Sequence, residues 1–202
     1  FAPITDARNV ITPELRGGET QLLLLTLNRK VRLGGSAISQ VVEGFEDECP
    51  DIDDAKTLKI FLETVQKLCA SGRVLALHDR SDGGLIVAVL EMAFAGRIGV
   101  DVLASENLLA DLFNEEVGIV VQVSARDVAS ITNDAAAVNI CVNHVGRTRI
   151  DEEIFIYVNE RVAFHSSRAE LEKIWATTSY QLQRLRDDPE CAEEEYRAIT
   201  AR

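Results

Sequence analysis

The sequence predicts an α+β domain, a mixed β-sheet flanked by α-helices. Three observations carry that reading. Apolar runs of strand length alternate with longer segments of helical periodicity. One late segment has the pattern of a hairpin, which a purely parallel doubly wound sheet would not need. The chain has 202 residues, 47% of them hydrophobic, enough to bury one sizeable core.

The elements follow in order. "QLLLLTLN" (Gln21 to Asn28) is a continuous apolar run bounded by "RGGET", and reads as a buried strand. After "RLGGSA", Ser36 is placed to N-cap a helix running toward Phe45. "ECPDIDDA" is a loop whose acids suit the start of an amphipathic helix. In that helix Leu58, Phe61, Leu62, Val65, Leu68 and Cys69 form one stripe. "ASGR" stops it, and "VLAL" begins a strand.

Leu85 to Ala95 is apolar almost all round, with Glu91 its only charge, so this helix should be buried on most sides. Gly96 ends it. "IGVDVL" and "VGIVVQVS" read as strands, with a helical stretch around Ser105 to Phe113 between them. "ARDVASITNDAAAV" reads as a helix and "ICVNHVGRTRI" as a strand. "EIFIYVNERVAFHSS" is the hairpin, turning near Asn159-Glu160. A long helix follows, with Leu171, Ile174, Trp175, Thr178, Leu182 and Leu185 on one stripe expected to pack on this domain or a neighbour. "DDPECAEEEYRAI" reads as a charged, solvated segment.

Charge narrows the function classes. A net charge of −12, with Lys and Arg scattered, argues against nucleic-acid and anionic-membrane partners. No apolar run approaches the roughly 18 residues that span a bilayer. Cys49, Cys69, Cys141 and Cys191 are widely spaced and form no CxxC pair, so neither a zinc cluster nor a redox motif is expected. Reduced thiols in a cytoplasmic protein are the expectation. The chain opens on "FAPITDARNV" without an initiator Met, as a piece of a longer polypeptide would.

The stretch "LALHDRSDGGLIVAVLEMAFAG" (75 to 96) sets a polar, glycine-bearing knot between two apolar runs. Strand, knot and helix together place Ser81 to Gly84 at a helix N-terminus, where unpaired N–H groups favour an anion. Two glycines let a ligand approach the backbone. Asp79, at the strand end, offers the carboxylate oxygen that a hard cation such as Mg²⁺ takes beside phosphates and waters. The competing reading is a cap by Ser81 or Asp82, an ion pair of Asp79 with Arg80, and glycines that only turn the chain. Residue types alone leave both open. If Gly84 cradles a phosphate, a Cβ there should strike the ligand while leaving the helix intact.

The string "HDRSDGGL" resembles the signature of the phosphoribosylformylglycinamidine synthases, within the wider aminoimidazole-ribonucleotide-synthetase-like superfamily. "LGGSA" (33 to 37), "EMAFAG" (91 to 96) and "LFNEEVG" (112 to 118) are similar in the same order. "WATTSYQLQRLRDDPECAEEE" is similar to the segment preceding the glutaminase domain of the long, single-chain form. The resemblance implies the C-terminal domain of the second synthetase half, over 1–167. Residues 168–202 would then be a helix and linker toward an absent glutaminase domain. It implies an ATP-dependent ligase of purine synthesis, turning formylglycinamide ribonucleotide and glutamine into the amidine. By the same resemblance Asp79 would ligate Mg²⁺ on an auxiliary ATP or ADP, and Ser81, with Gly83 and Gly84, would contact that nucleotide. The other metal ligands would come from the remaining synthetase domains, so the domain alone should be inactive.

Two further readings stay open: another ATP-using enzyme of the superfamily, such as a selenophosphate synthetase or thiamine-phosphate kinase, and a non-catalytic interaction module. The former would not need "EMAFAG" or the tail. His78 is read as a hydrogen-bonded structural residue rather than an acid or base. Of Glu115 and Glu116, only one could face a site if both lie on a strand. No cysteine sits in the setting of a glutaminase nucleophile.

Overall fold

Seven strands form one mixed sheet in the order β2-β4-β1-β5-β3-β6-β7. The computed structural model describes residues 6–42 and 48–201. The strands are β1 (Thr20–Thr26), β2 (Val74–Asp79), β3 (Val100–Ala104) and β4 (Gly118–Ser124), then β5 (Cys141–Thr148), β6 (Glu153–Val158) and β7 (Arg161–Ser167). The helices are α1 (Ala37–Val41), α2 (Ala55–Ala70), α3 (Gly84–Gly96) and α4 (Leu108–Phe113), then α5 (Val128–Ala136), α6 (Arg168–Arg186) and α7 (Pro189–Ala198). The α+β reading holds.

β1 lies inside the sheet between β4 and β5, and both its faces are apolar. Leu22 and Leu24 face one core, with Leu85, Val89 and Met92 of α3. Leu23 and Leu25 face the other, with Phe61 and Leu68 of α2 and Ile131 of α5. Each leucine taken out of water here contributes about 1.5–3 kcal/mol. α3 has to be apolar all round, since Leu171 of α6 packs against the same core and Trp175 meets Phe94 at 5.8 Å between ring centres.

Pairing fixes strand direction. β1 runs antiparallel to β4 and β5, β2 antiparallel to β4, and β3 antiparallel to β5 but parallel to β6. The carboxyl ends of β1, β2, β3 and β6 therefore share one edge of the sheet. In open sheets that edge is where ligands bind.

Ser36 caps α1 as expected, its hydroxyl accepting from the Ser39 amide. α1 is described to Val41, and 43–47, where the expected helix continues, lie outside the described residues. Asp54 caps α2, accepting from Lys56 N and Thr57 N. The α2 stripe is narrower than the spacing predicts, since Leu62 is half-exposed while Phe61 and Leu68 are buried. On the α6 stripe, Leu171 and Trp175 lean on α3, while Ile174, Leu182 and Leu185 are exposed on this chain. The charged tail is helical too: α7 starts on Pro189 with Asp188 as its cap, and Tyr196 stacks on Tyr180 of α6 at 4.1 Å. Paired caps and a ring stack outweigh the solvation that its charges favour.

The hairpin turns at Asn159-Glu160, both with positive φ (48° and 65°). This is the backbone of a type I′ turn, which prefers Asn-Gly. Glu160 holds a left-handed conformation that costs a side chain roughly 1–2 kcal/mol, partly offset in glycine by chain entropy. Glu160→Gly should therefore stabilise the chain by about 0.5–1 kcal/mol, or some 2–4 °C per kcal/mol for a chain of this size. Thermal unfolding followed by circular dichroism checks this. A fall in melting temperature would mean that the carboxylate makes an interaction worth more than the strain.

Candidate functional site

The knot is built as a strand end, a tight turn and a helix start. Asp79 closes β2, and Arg80 N still reaches Gly118 O of β4 at 2.9 Å. Gly84 N then returns to Ser81 O at 3.0 Å, and α3 begins. Gly83 and Gly84 have φ of 87° and 73°, the left-handed region that glycine enters without penalty. Asp79 and Ser81 point to solvent, with the Asp79 side chain 76% exposed, whereas Gly83 and Gly84 are buried.

The segment between α4 and β4 decides what surrounds this turn. Glu115 Oε1 accepts from Gly83 N at 2.7 Å and from Ala37 N at 2.9 Å. One carboxylate thus serves the starts of both α3 and α1, where the helix dipole favours negative charge. Glu116 turns the other way and is wholly buried. Its carboxylate takes Arg32 on both oxygens, Nη2 to Oε2 at 2.8 Å, with Asn28 Nδ2 at 3.2 Å. Arg32 extends the network to Asp51 O at 2.7 Å and Asp53 at 3.3 Å. Its pKa is raised, chiefly by the hydrogen bond to Glu116. The two glutamates diverge as neighbours on a strand would, although β4 starts only at Gly118.

The three strings "LGGSA", "HDRSDGGL" and "LFNEEVG" therefore meet at one place. Sequence reasoning missed how: partners 84, 78 and 32 residues apart leave no local signal. It also missed Arg80, a buried cation whose Nε donates to Glu116 O at 2.6 Å. Burial pushes its pKa down to about 10. Its position one residue past an apolar strand was the available sign.

His78 is hydrogen-bonded, as expected. Nδ1 lies 2.6 Å from Asp79 O and 3.3 Å from Asp79 Oδ1, and Nε2 lies 3.2 Å from Glu91 Oε2. Glu91 also accepts from Trp175 Nε1 at 3.2 Å, which ties the knot to α6. Among the described residues, no three His, Cys, Asp or Glu side chains converge where a metal ion could be held. Asp79 fits a metal as one outward-facing ligand, and the His78 nitrogen nearest to it is taken up by Asp79 O at 2.6 Å.

Gly84 has a packing role that the sequence did not disclose. A Cβ there would sit 2.7 Å from Leu112 O and 2.8 Å from Phe113 Cα. At Gly83 it would meet the Val87 side chain at 2.3 Å. The obstacle at Gly84 is the chain's own backbone at the end of α4.

No helix among the described residues is long and apolar enough to cross a membrane. Among solved structures, Thermotoga maritima PurL complexed with FGAR is similar, at TM-score 0.67 and 13% identity over 82% of this chain and 30% of that one. The same protein complexed with ATP gives 0.65 and 13% over 80% and 27%. A HypE–HypF complex gives 0.55 and 13% over 77% and 56%. These likenesses are of fold, and the chain spans under a third of the length of those PurL chains. Residues 21–159, from β1 to the hairpin turn, match the family model described as AIR synthase related protein, C-terminal domain, and the chain belongs to that family.

Proposed function

We propose that this chain is the C-terminal domain of the second synthetase half of a phosphoribosylformylglycinamidine synthase, where it helps hold a Mg-nucleotide. The observation that carries the reading is the meeting of "LGGSA", "HDRSDGGL" and "LFNEEVG" around Glu115, since all three strings resemble that enzyme family's. Support also comes from fold similarity to a PurL protein whose structures are described as complexes with ATP and with ADP. In the complete enzyme ATP would phosphorylate the glycinamide oxygen of formylglycinamide ribonucleotide, leaving ADP, and ammonia drawn from glutamine would attack that carbon and expel phosphate to give the amidine. This domain would stand in the cytoplasm, joined to the other synthetase domains, with residues 168–202 leading toward the glutaminase.

Asp79 would supply one carboxylate oxygen to Mg²⁺, and the metal would neutralise phosphate charge that an acidic chain cannot. Ser81 would offer its hydroxyl to the nucleotide from the solvent side of the turn. Gly83 and Gly84 would shape that turn from behind, with Glu115 holding it against α1. His78 orients Asp79 through its ring nitrogen.

The isolated chain should bind MgATP weakly or not at all, because one carboxylate and one hydroxyl are too few for a cation that dehydrates reluctantly. Calorimetric titration giving sub-micromolar affinity would reject a site shared with other domains. In the full-length enzyme, Asp79→Asn should reduce co-purifying nucleotide while changing the stability of this domain by less than about 0.5 kcal/mol, as expected of an exposed side chain. Equal nucleotide occupancy would make Asp79 structural. Gly84→Ala should instead destabilise the isolated chain by about 2–4 kcal/mol, the sum of a forced positive φ and a backbone collision. Chemical denaturation measures it. An unchanged midpoint would mean that the α4 end yields, leaving Gly84 free to serve a ligand.

A further inference from the structure

The outer face of α6 carries apolar side chains that this chain leaves in water. Ile174, Leu182 and Leu185 are 72%, 63% and 87% exposed. With Thr178 they recur at helical spacing and form one stripe about 17 Å long. The neighbouring sides of the helix are taken. Leu171 and Trp175 meet α3, and Trp175 donates to Glu91. Tyr180 stacks on Tyr196 of α7, whose hydroxyl donates to Lys173 O at 3.1 Å. α7 therefore folds back along another side of α6 and leaves the stripe bare. A contiguous apolar stripe bordered by charged residues marks a contact with protein.

The order of residues along α6 says what fits this stripe. About Thr178 the apolar pattern reads the same in both directions. Ile174 stands four residues before it and Leu182 four after, and Leu171 seven before and Leu185 seven after. The charges invert about the same point. Glu172 and Arg184 stand six residues to either side of Thr178, and Glu170 and Arg186 eight. An antiparallel copy of the helix thus sets apolar on apolar and the acidic first turns on the basic last turn. A parallel copy would set glutamate on glutamate and arginine on arginine. Glu172 already holds Arg168, Glu170 the Ser167 cap, and Arg186 Asp187, so these charges choose the orientation more than they add affinity.

We propose that α6 is a self-association surface, on which a second copy of this chain lays its own α6 antiparallel, with the two-fold axis at Thr178. Ile174 of one copy packs against Leu182 of the other, and Leu185 covers the outer side of Leu171. Thr178 is small enough to stand at the crossing, where packed helix axes lie about 8–10 Å apart. One helix pair is a small contact beside the roughly 1,600 Å² of a standard interface. Two chains of net charge −12 also repel each other. The dimer is therefore weak, half-formed at roughly 0.1 mM chain. It stands whether or not the nucleotide reading does, since neither Asp79 nor Ser81 belongs to the stripe.

The test is sedimentation equilibrium of the 202-residue chain from roughly 10 μM to 1 mM, in about 0.15 M salt to screen the net charge. A monomer–dimer equilibrium is expected within that range. Leu182→Glu and Leu185→Glu change exposed side chains and should each weaken the dimer roughly tenfold or more, by putting a carboxylate into an apolar contact. Circular dichroism and melting temperature should stay as they are. Arg184→Glu should weaken it by about three- to tenfold. Leu62→Glu, on α2 across the sheet, should leave it unchanged. The register is read by crosslinking, with the exposed Cys49 and Cys191 replaced by serine. Thr178→Cys should then give a disulfide-linked dimer on mild oxidation, and Ser179→Cys, one position round the helix, should not. A chain that stays monomeric to the top of the range overturns the proposal and leaves the stripe to another domain of a longer polypeptide. So does a dimer indifferent to both Leu182→Glu and Leu185→Glu, or one that crosslinks through Ser179→Cys in place of Thr178→Cys.

Discussion

The buried pair of Glu116 with Arg32 is the constraint on which the site depends. Taking both charges out of water costs several kcal/mol per ion, and the mutual attraction offsets that only with good geometry and no idle lone pairs. Glu116 meets the condition: Arg32 binds both oxygens and Asn28 adds a third donor. Its own amide goes to Asn114 Oδ1 at 2.9 Å and its carbonyl to Arg80. With every polar group of this residue engaged, the segment between α4 and β4 has one position. Glu115 is thereby delivered to the starts of α1 and α3. Removing one partner of such a pair typically costs 3–5 kcal/mol, and here the loss would spread to both helix starts.

Gly84 belongs to the same arrangement. α3 can enter directly behind β2 only if the chain reverses at Gly83 and Gly84, and the end of α4 lies against the inner side of that reversal. The two glycines bring the Leu112–Phe113 backbone close enough for Glu115 to reach Gly83 N. A turn tight enough to hold Asp79 and Ser81 outward is thus set from inside by packing. What a sequence reader takes for a phosphate cradle has its first explanation in the close approach of two backbones, and the outward residues carry what remains for a ligand.

Elements with local causes were legible in the sequence. The apolar run of β1, the all-round apolar α3, the Ser36 cap and the Asn159-Glu160 turn each follow from spacing or from one residue's chemistry. Elements decided by distant partners were not. Leu62 falls on the α2 stripe by period yet outside the strip that the sheet can cover. The α6 stripe is apolar by sequence, yet Leu171 and Trp175 meet α3 while Leu182 and Leu185 stay exposed on this chain. α7 looked solvated because its caps and the Tyr180–Tyr196 stack are not visible as hydrophobicity. At the site, residue types singled out the stretch from His78 to Gly84, while the Glu115 and Arg32 contacts join residues far apart in the chain and leave no periodicity to read.

Strand direction explains why so much polar chemistry gathers at one edge. With β1, β2, β3 and β6 parallel, their last residues and the loops after them crowd together, and α4 is too short to roof them all. Beside β2 the space is closed by Glu115, Glu116 and Arg32. Beside β1 and β5 it stays open as a cleft lined by Thr26, Cys141 and Asn143 among others. Arg80 stands at the boundary, bonded to the closed side through Glu116 O and lining the open one. The Glu116 carboxylate supports the Arg80 charge through space while Arg32 and Asn28 take its oxygens, so one buried residue steadies cations on both sides of it.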